Sequence, residues 1–448
     1  MRTFAFAVSL SILCNLCCNA GATEYRVGPD EDISLLSDVA GQLEAGDTVL
    51  ITGDIRDTVN LTRSGRHDAP ITIRGLTQVE EGRIIRPQIT RSRDNYIISC
   101  PANWIVIEGL EFNGEPGRPD SPRAGMYVGG ADLVLRNCKY FGFDYRALVT
   151  TPKAGSITIE FCEFGSSAYV DVWSWTPGAV TTVQFCWFHD LTKEGMLKLH
   201  GPRNIVRYNW FENPCYSALK VVDRIGSSSP REKSRPPGLY PMHTDIVGNV
   251  FFTGWSPGPK YSVLSLGGAD ATEPGTEGDF HIAHNLFIMT RMSEVAPGVH
   301  LLVHGNVDHV RAYNNVFMEL GGHGCRVYER GQVWDVPATA AFRERVGHAD
   351  PVVEGSNNWT SQKALAVPEG FRETLRGINP GFVGLVNFDF RPSPDSPLAG
   401  AGLWPLPSGR VVDLVPEYEP VRGIPADLKP RRRREVRPPS IGPFETEE

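Results

Sequence analysis

Six times the chain writes nearly the same phrase: SITIEFCEF (156–164), TTVQFCWF (181–188), NIVRYNWF (204–211), TDIVGNVF (244–251), FHIAHNLF (280–287) and VRAYNNVF (310–317). Each is a β-rich run that ends in Cys or Asn, followed two residues later by an aromatic ring. With that Cys or Asn as an anchor, Leu110 in GLEF and Cys138 in NCKY fall into the same slot. The anchors then stand at 110, 138, 162, 186, 209, 249, 285 and 315, with gaps of 28, 24, 24, 23, 40, 36 and 30. A core period of 23–24 residues with longer excursions is the mark of a solenoid, in which each unit stacks on the last and insertions become loops. Before each anchor apolar residues alternate (Ile157, Ile159, Phe161), the period of a strand. No helix of useful length separates the units, so the strands must stack in parallel through all-β coils.

Stacked parallel strands lie about 4.8 Å apart, which lines up identical side chains. Cys138, Cys162 and Cys186 should form one internal column, continued by Asn209, Asn249, Asn285 and Asn315. A stacked Asn can bond both its neighbour and the corner backbone. The column therefore reads as structural, with its cysteines as free thiols, because in-register parallel strands supply disulfide geometry poorly.

The 448 residues divide into three parts. Residues 1–22, MRTFAFAVSLSILCNLCCNAGA, have a basic start, an apolar run and a small-residue cleavage site, the pattern of a secretory signal. A secreted or periplasmic protein is expected, and no stretch is long enough to span a bilayer. Residues 23–402 hold the repeats. Their start, ISLLSDVAGQLEAGDTVLITG, predicts a short amphipathic capping helix on Leu35, Leu36, Val39 and Leu43. Residues 403–448 are Pro- and Arg-rich and read as a solvated tail. Loss of the signal takes Cys14, Cys17 and Cys18, leaving six cysteines with no C-x-x-C pair. It also takes Arg2, moving the net charge from −8 to −9. So acidic a chain excludes general nucleic-acid binding. A monomer is expected.

Chemistry is expected on a second column of strands, opening ALVTTP (147), AYVDVW (168), GMLKLHG (195), ALKVVDR (218), SVLSLGG (262) and HLLVHG (300). Its polar positions are Asp171, Trp173, Lys198, His200, Lys220, Asp223, Arg224 and His304, beside the bare backbone of Gly267 and Gly268. Lys198 and His200 alternate with Leu197 and Leu199 and so share a face. One coil on, the spacing leaves open whether Lys220 or Val221 faces out. Arg231, Lys233 and Arg235 add to a basic groove on an acidic protein, which points to an anionic ligand. The same charges would also suit a merely solvated face. His281, His284 and His309 flank core strands and read as structural. GGHGCR (321–326) lacks companion carboxylates near His323 and reads as a turn.

The repeats, the opening AGDTVLITGDIRDTVNLTRSGRHDAPITIRG and the closing INPGFVGLVNFDFRPSPDSPLAGAG resemble secreted bacterial right-handed parallel β-helix proteins. The branch they resemble holds the chondroitinase-B-like and alginate-lyase-like polysaccharide lyases. The resemblance implies an all-β, single-domain right-handed parallel β-helix with an N-terminal capping helix, acting on an anionic, uronic-acid-containing polysaccharide by β-elimination. It implies a Lys base and an Arg on neighbouring coils, with calcium held by Asn and Glu. Lys198 takes the base position if LKLHGPRN carries a two-residue insertion, and His200 takes it otherwise. Arg224 is displaced from the usual strand position, and Lys220 joins it against the carboxylate. Asp171, Trp173, Asp223 and His304 would bind substrate. Glu194 is present, but no Glu-x-Glu precedes Lys198, so the metal ligands stay unassigned. The same coils serve non-catalytic carbohydrate-binding or surface proteins, glycoside hydrolases and epimerases.

Overall fold

The repeated phrase folds as a corner. In the computed structural model, which describes residues 21–90, 96–115, 124–151, 153–166, 170–174, 179–191, 195–222, 242–253, 262–267, 278–290, 298–304, 307–321, 324–331, 351–407 and 412–446, the residue before each anchor has a positive φ. The values run from +52° at Asn357 to +69° at Gly109, through Asn137, Phe161, Phe185, Tyr208, Gly248, His284 and Asn314. A left-handed residue with a side chain costs about 1–2 kcal/mol, so other bonds must hold the corner. The anchor supplies them. Asn249 Nδ2 donates to Val206 O of the previous coil at 2.9 Å and to Asn285 Oδ1 of the next at 2.9 Å. Its Oδ1 accepts both the backbone N–H and the Nδ2 of Asn209. Asn285, Asn315 and Asn358 repeat the bond to the previous coil. Cys138, Cys162 and Cys186 make the same connection with weaker Sγ donors, to Ile107 O, Leu135 O and Ile159 O.

Around this corner run three parallel sheets. The first has 13 strands from Glu24–Val27 to Gly370–Arg372, and the second has 12 from Ile55–Arg56 to Leu375–Gly377. The third has 10, from Val59–Asn60 to Arg326–Gly331. Consecutive coils pair in register, as in Leu135↔Ile159 and Ile159↔Val183. The chain is thus all-β, a right-handed parallel β-helix. Inside the second sheet Phe112, Tyr140, Phe164, Phe188, Phe211, Phe251, Phe287 and Phe317 form one stack with ring centroids 4.7–5.0 Å apart. The rings thus follow the strand spacing.

The N-terminal cap is smaller than the sequence predicts. Strand Glu24–Val27 first pairs with Thr48–Ile51, and the helix is the single turn Ser37–Ala40. Leu36, Val39 and Leu43 still close the core. The signal segment lies outside the described residues apart from 21–22. Among the described residues no helix is long and apolar enough to cross a membrane.

The solvated tail is corrected. From Trp187 onward the outer row of the second sheet turns apolar (Trp187, Trp210, Val250, Leu286, Val316, Trp359), where earlier coils carry Glu111, Lys139 and Glu163. Phe390, Leu398, Ile441 and Phe444 cover that row. Leu414 sits on Val247 and Ala283 of the first sheet. Arg422 forks onto Glu212 at 2.7 and 2.8 Å. Apolar surface of this extent needs a cover, and the Arg-rich segment provides one. His284 ties it down: its Nδ1 donates to Gly442 O and its Nε2 accepts from Asn314 Nδ2, both at 3.0 Å, which defines the neutral tautomer.

Three outcomes are expected. Asn249→Leu strands the Asn209 N–H and the Val206 carbonyl, and should cost about 1–3 kcal/mol in denaturant unfolding; an unchanged midpoint would refute the ladder's role. Cys138, Cys162 and Cys186 are buried free thiols, and burial holds the Cys138 and Cys162 thiols well above their ordinary range. Alkylating reagent should therefore spare them in the native protein and label all three on unfolding without reductant. Finally, burial pushes the His300 imidazole down to about 3 and His284 well below its usual range, with Arg433 adding to the effect. The folded state keeps both neutral while the unfolded chain protonates them below about pH 6.5, so stability falls with pH through that value, by about 2 kcal/mol per histidine at pH 5. His300→Leu should shrink the drop in unfolding midpoint between pH 7 and pH 5; an undiminished drop would show that other groups cause it.

Candidate functional site

Parity along the third sheet decides what reaches its surface. Leu197 and Leu199 are buried in the core, as are Leu219 and Val221 of the next coil. Between them Lys198 pairs with Lys220 in direct register. Lys220, not Val221, therefore faces out. By Cα register the same row reads Tyr127, Val149, Trp173, Lys198, Lys220, Ser265, Leu302 and Glu329 from coil to coil. At about 4.8 Å per coil, two like charges stand side by side. Two cationic side chains on adjacent coils give this stretch of the row its basic character.

The surroundings sharpen this picture. Lys198 keeps only 7% of its surface exposed, whereas Lys220 is half-buried. The Lys220 ammonium lies 4.7 Å from the centre of the Tyr216 ring. Ser265 continues the row, and its Oγ is 3.3 Å from His304 Nε2. Gly267, at φ +72°, ends that strand. At the other end of the row, Tyr127 stacks on Tyr96 with centroids 4.8 Å apart. Partly exposed aromatic faces beside cations are suited to sugar rings carrying negative charge.

The site residues expected from sequence thus divide. Lys198, Lys220 and the register position of Trp173 share one row, and His304 touches it through Ser265. His200 follows Lys198 at the strand end and is buried, with 4% exposure. Asp171 is corrected. It sits beside Ala147 in a register set by Arg146↔Val170 and Leu148↔Val172, and it is fully buried. Its complete burial departs from the exposed position that alternation predicts. Asp223, Arg224, Arg231, Lys233 and Arg235 lie outside the described residues, as do Glu194, Gly268 and His323. Tyr216 and Ser265 were not singled out by sequence. Ser265 follows from in-register counting along SVLSLGG, whereas Tyr216 sits in a turn with no periodic signal.

His281 is buried with Nδ1 2.9 Å from Asp245 Oδ1, and His309 faces Asp279 at 3.4 Å. Among the described residues no three His, Cys, Asp or Glu side chains gather as a metal site. The Glu194 that the resemblance brings to mind for calcium lies outside the described residues, and no step below passes through a metal.

No family model matches the chain, and no curated protein sequence does. Among solved structures it is similar to pectate lyase Pel9A, with 12% identity and a TM-score of 0.49, covering 95% of this chain and 96% of that one. It is similar to a PL6 family polysaccharide lyase from Pseudopedobacter saltans, with 14% identity and a TM-score of 0.42, covering 80% and 92%. It is also similar to the periplasmic alginate epimerase AlgG, with 9% identity and a TM-score of 0.40, covering 79% and 82%.

Proposed function

We propose that this protein is an exported polysaccharide lyase that binds an anionic, uronic-acid-containing polymer across the third sheet and cleaves it by β-elimination. The observation that carries the reading is the Lys198–Lys220 pair, in register on one outward row. In the proposed reaction Lys220 and Arg224 neutralise the uronate carboxylate, which makes the adjacent C–H acidic enough to give up its proton. Lys198, in its neutral amine form, takes that proton, with His200 as the alternate base. The electron pair forms a carbon–carbon double bond inside the ring. The bond to the glycosidic oxygen on the next carbon breaks, and that oxygen leaves with the proton that Lys198 took up, returned directly or through water, which restores the neutral amine. Trp173, His304 and Asp223 contribute to substrate binding.

Three other readings use the same row. A non-catalytic binding protein needs only the cations. An epimerase returns a proton to the opposite face instead of expelling the oxygen, and a hydrolase needs paired carboxyl groups.

Incubation with alginate, pectate, chondroitin and heparin, with and without calcium, separates these readings. Elimination gives unsaturated products that absorb in the near ultraviolet, hydrolysis adds reducing ends without that absorbance, and binding gives neither. Lys198→Ala should lower turnover by about 10²–10⁴-fold while polymer affinity changes only a few-fold, because proton abstraction belongs to the transition state. Lys220→Ala should harm binding and turnover together. Blank assays with both variants equally weakened in binding would favour the binding protein. If neither variant has any effect, the third sheet is the wrong face.

A further inference from the structure

A lysine alone makes a poor clamp for a carboxylate. Its ammonium rides on a flexible four-carbon stem, and fixing that stem against a ligand costs rotamer freedom. In this structure part of that freedom is already removed. The Lys220 stem crosses toward the preceding coil over the bare backbone of Gly195, where an added Cβ would stand 3.8 Å from Lys220 Cδ and 3.1 Å from Ser217 O. Its ammonium lies 4.7 Å from the centre of the Tyr216 ring, within the range of a cation–π contact. Stem and head are thus each seated on a neighbour, one on glycine backbone and one on an aromatic face.

Tyr216 belongs to the turn between strands Trp210–Glu212 and Leu219–Val221, and the backbone beside it is held without help from its ring. Ser217 O accepts the Met196 N–H at 3.1 Å. Ala218 O accepts from Leu197, and the Ala218 N–H donates to Val263 O, both at 3.1 Å. Ser217 is fully buried, with its Oγ 3.4 Å from Ser262 Oγ. The Tyr216 ring itself is only half-buried. A half-exposed ring on a fixed backbone can hold a neighbouring cation while leaving it open to a ligand. The ring is not the sole partner of Lys220, so losing it should weaken the clamp rather than abolish it. Glu194, next to Gly195, lies outside the described residues; the contact of ring and ammonium does not depend on a local charge count.

We propose that Tyr216 is a positioning residue for uronate recognition: its ring face holds the Lys220 ammonium in place for the substrate carboxylate. This rests on the assignment of the third-sheet row to a uronic-acid polymer and deepens it by a residue that acts through Lys220. Calorimetric titration with whichever of alginate, pectate, chondroitin and heparin the parent binds is the test. Tyr216→Leu should bind about three- to tenfold more weakly, whereas Tyr216→Phe, which keeps the ring, should stay within about twofold of the parent. In the Lys220→Ala background Tyr216→Leu should change nothing further, because the ring then has no ammonium to hold. The unfolding midpoint of each variant checks that it is folded. Equal weakening by Tyr216→Leu with and without Lys220 would make the ring a contact in its own right and overturn the proposal. Parent-like binding by Tyr216→Leu, or a loss equally large in Tyr216→Phe, overturns it too. A folded parent that binds none of these polymers would sink the third-sheet reading itself, and the role of Tyr216 with it.

Discussion

One bond repeats from coil to coil and the rest of the structure hangs on it: the anchor side chain donates to a carbonyl of the coil before. The corner it spans needs a left-handed residue, and residues as unsuited to that conformation as Phe161, Phe185 and Tyr208 adopt it. They can do so because the next anchor satisfies backbone that the turn leaves open. Cysteine performs this task in the middle coils and asparagine in the later ones. The exchange replaces a weak sulfur donor by an amide that also bonds along the column, from Asn209 through Asn358.

A rigid corner frees the remaining surfaces to differ. The first sheet carries an alternating ladder in which Arg136 lies between Glu108 and Glu160, and Gln184 links Glu160 to Arg207. Opposite charges in adjacent register suit an edge-on, solvated surface. The second sheet changes character partway, from charged to apolar, and the C-terminal extension covers the apolar half. The third sheet departs from both patterns: it sets lysine beside lysine.

The extension shows how far composition can mislead. Its arginines are not all solvated. Arg433 is buried with Glu445, with 3% and 1% side-chain exposure, and breaking such a pair costs about 3–5 kcal/mol because it leaves a buried charge alone. That pair, the His284 bridge and the apolar contacts hold the extension on the coils.

By itself the sequence determined the coil and its period, because hydrogen-bond geometry demands the same residue at the same corner each time. That is why Cys138 and Asn285 are legible as one column without coordinates. It also carried the signal for a cover, in the change from CKY and CEF to CWF, NWF, NVF and NLF. Only the tertiary structure decided matters of parity and partnership. Lys220 faces out and Val221 in because Lys220 pairs with Lys198, and a one-residue slip would reverse them. Asp171 is fully buried where alternation counting expects it exposed, because burial depends on what packs over the strand as well as on its parity. The tail is docked because its apolar residues, too sparse to form a core alone, meet a sheet face up to about two hundred residues away in the chain, as the Arg422–Glu212 pair does. Local periodicity is written in neighbours along the chain; burial and charge pairing depend on which distant neighbours arrive.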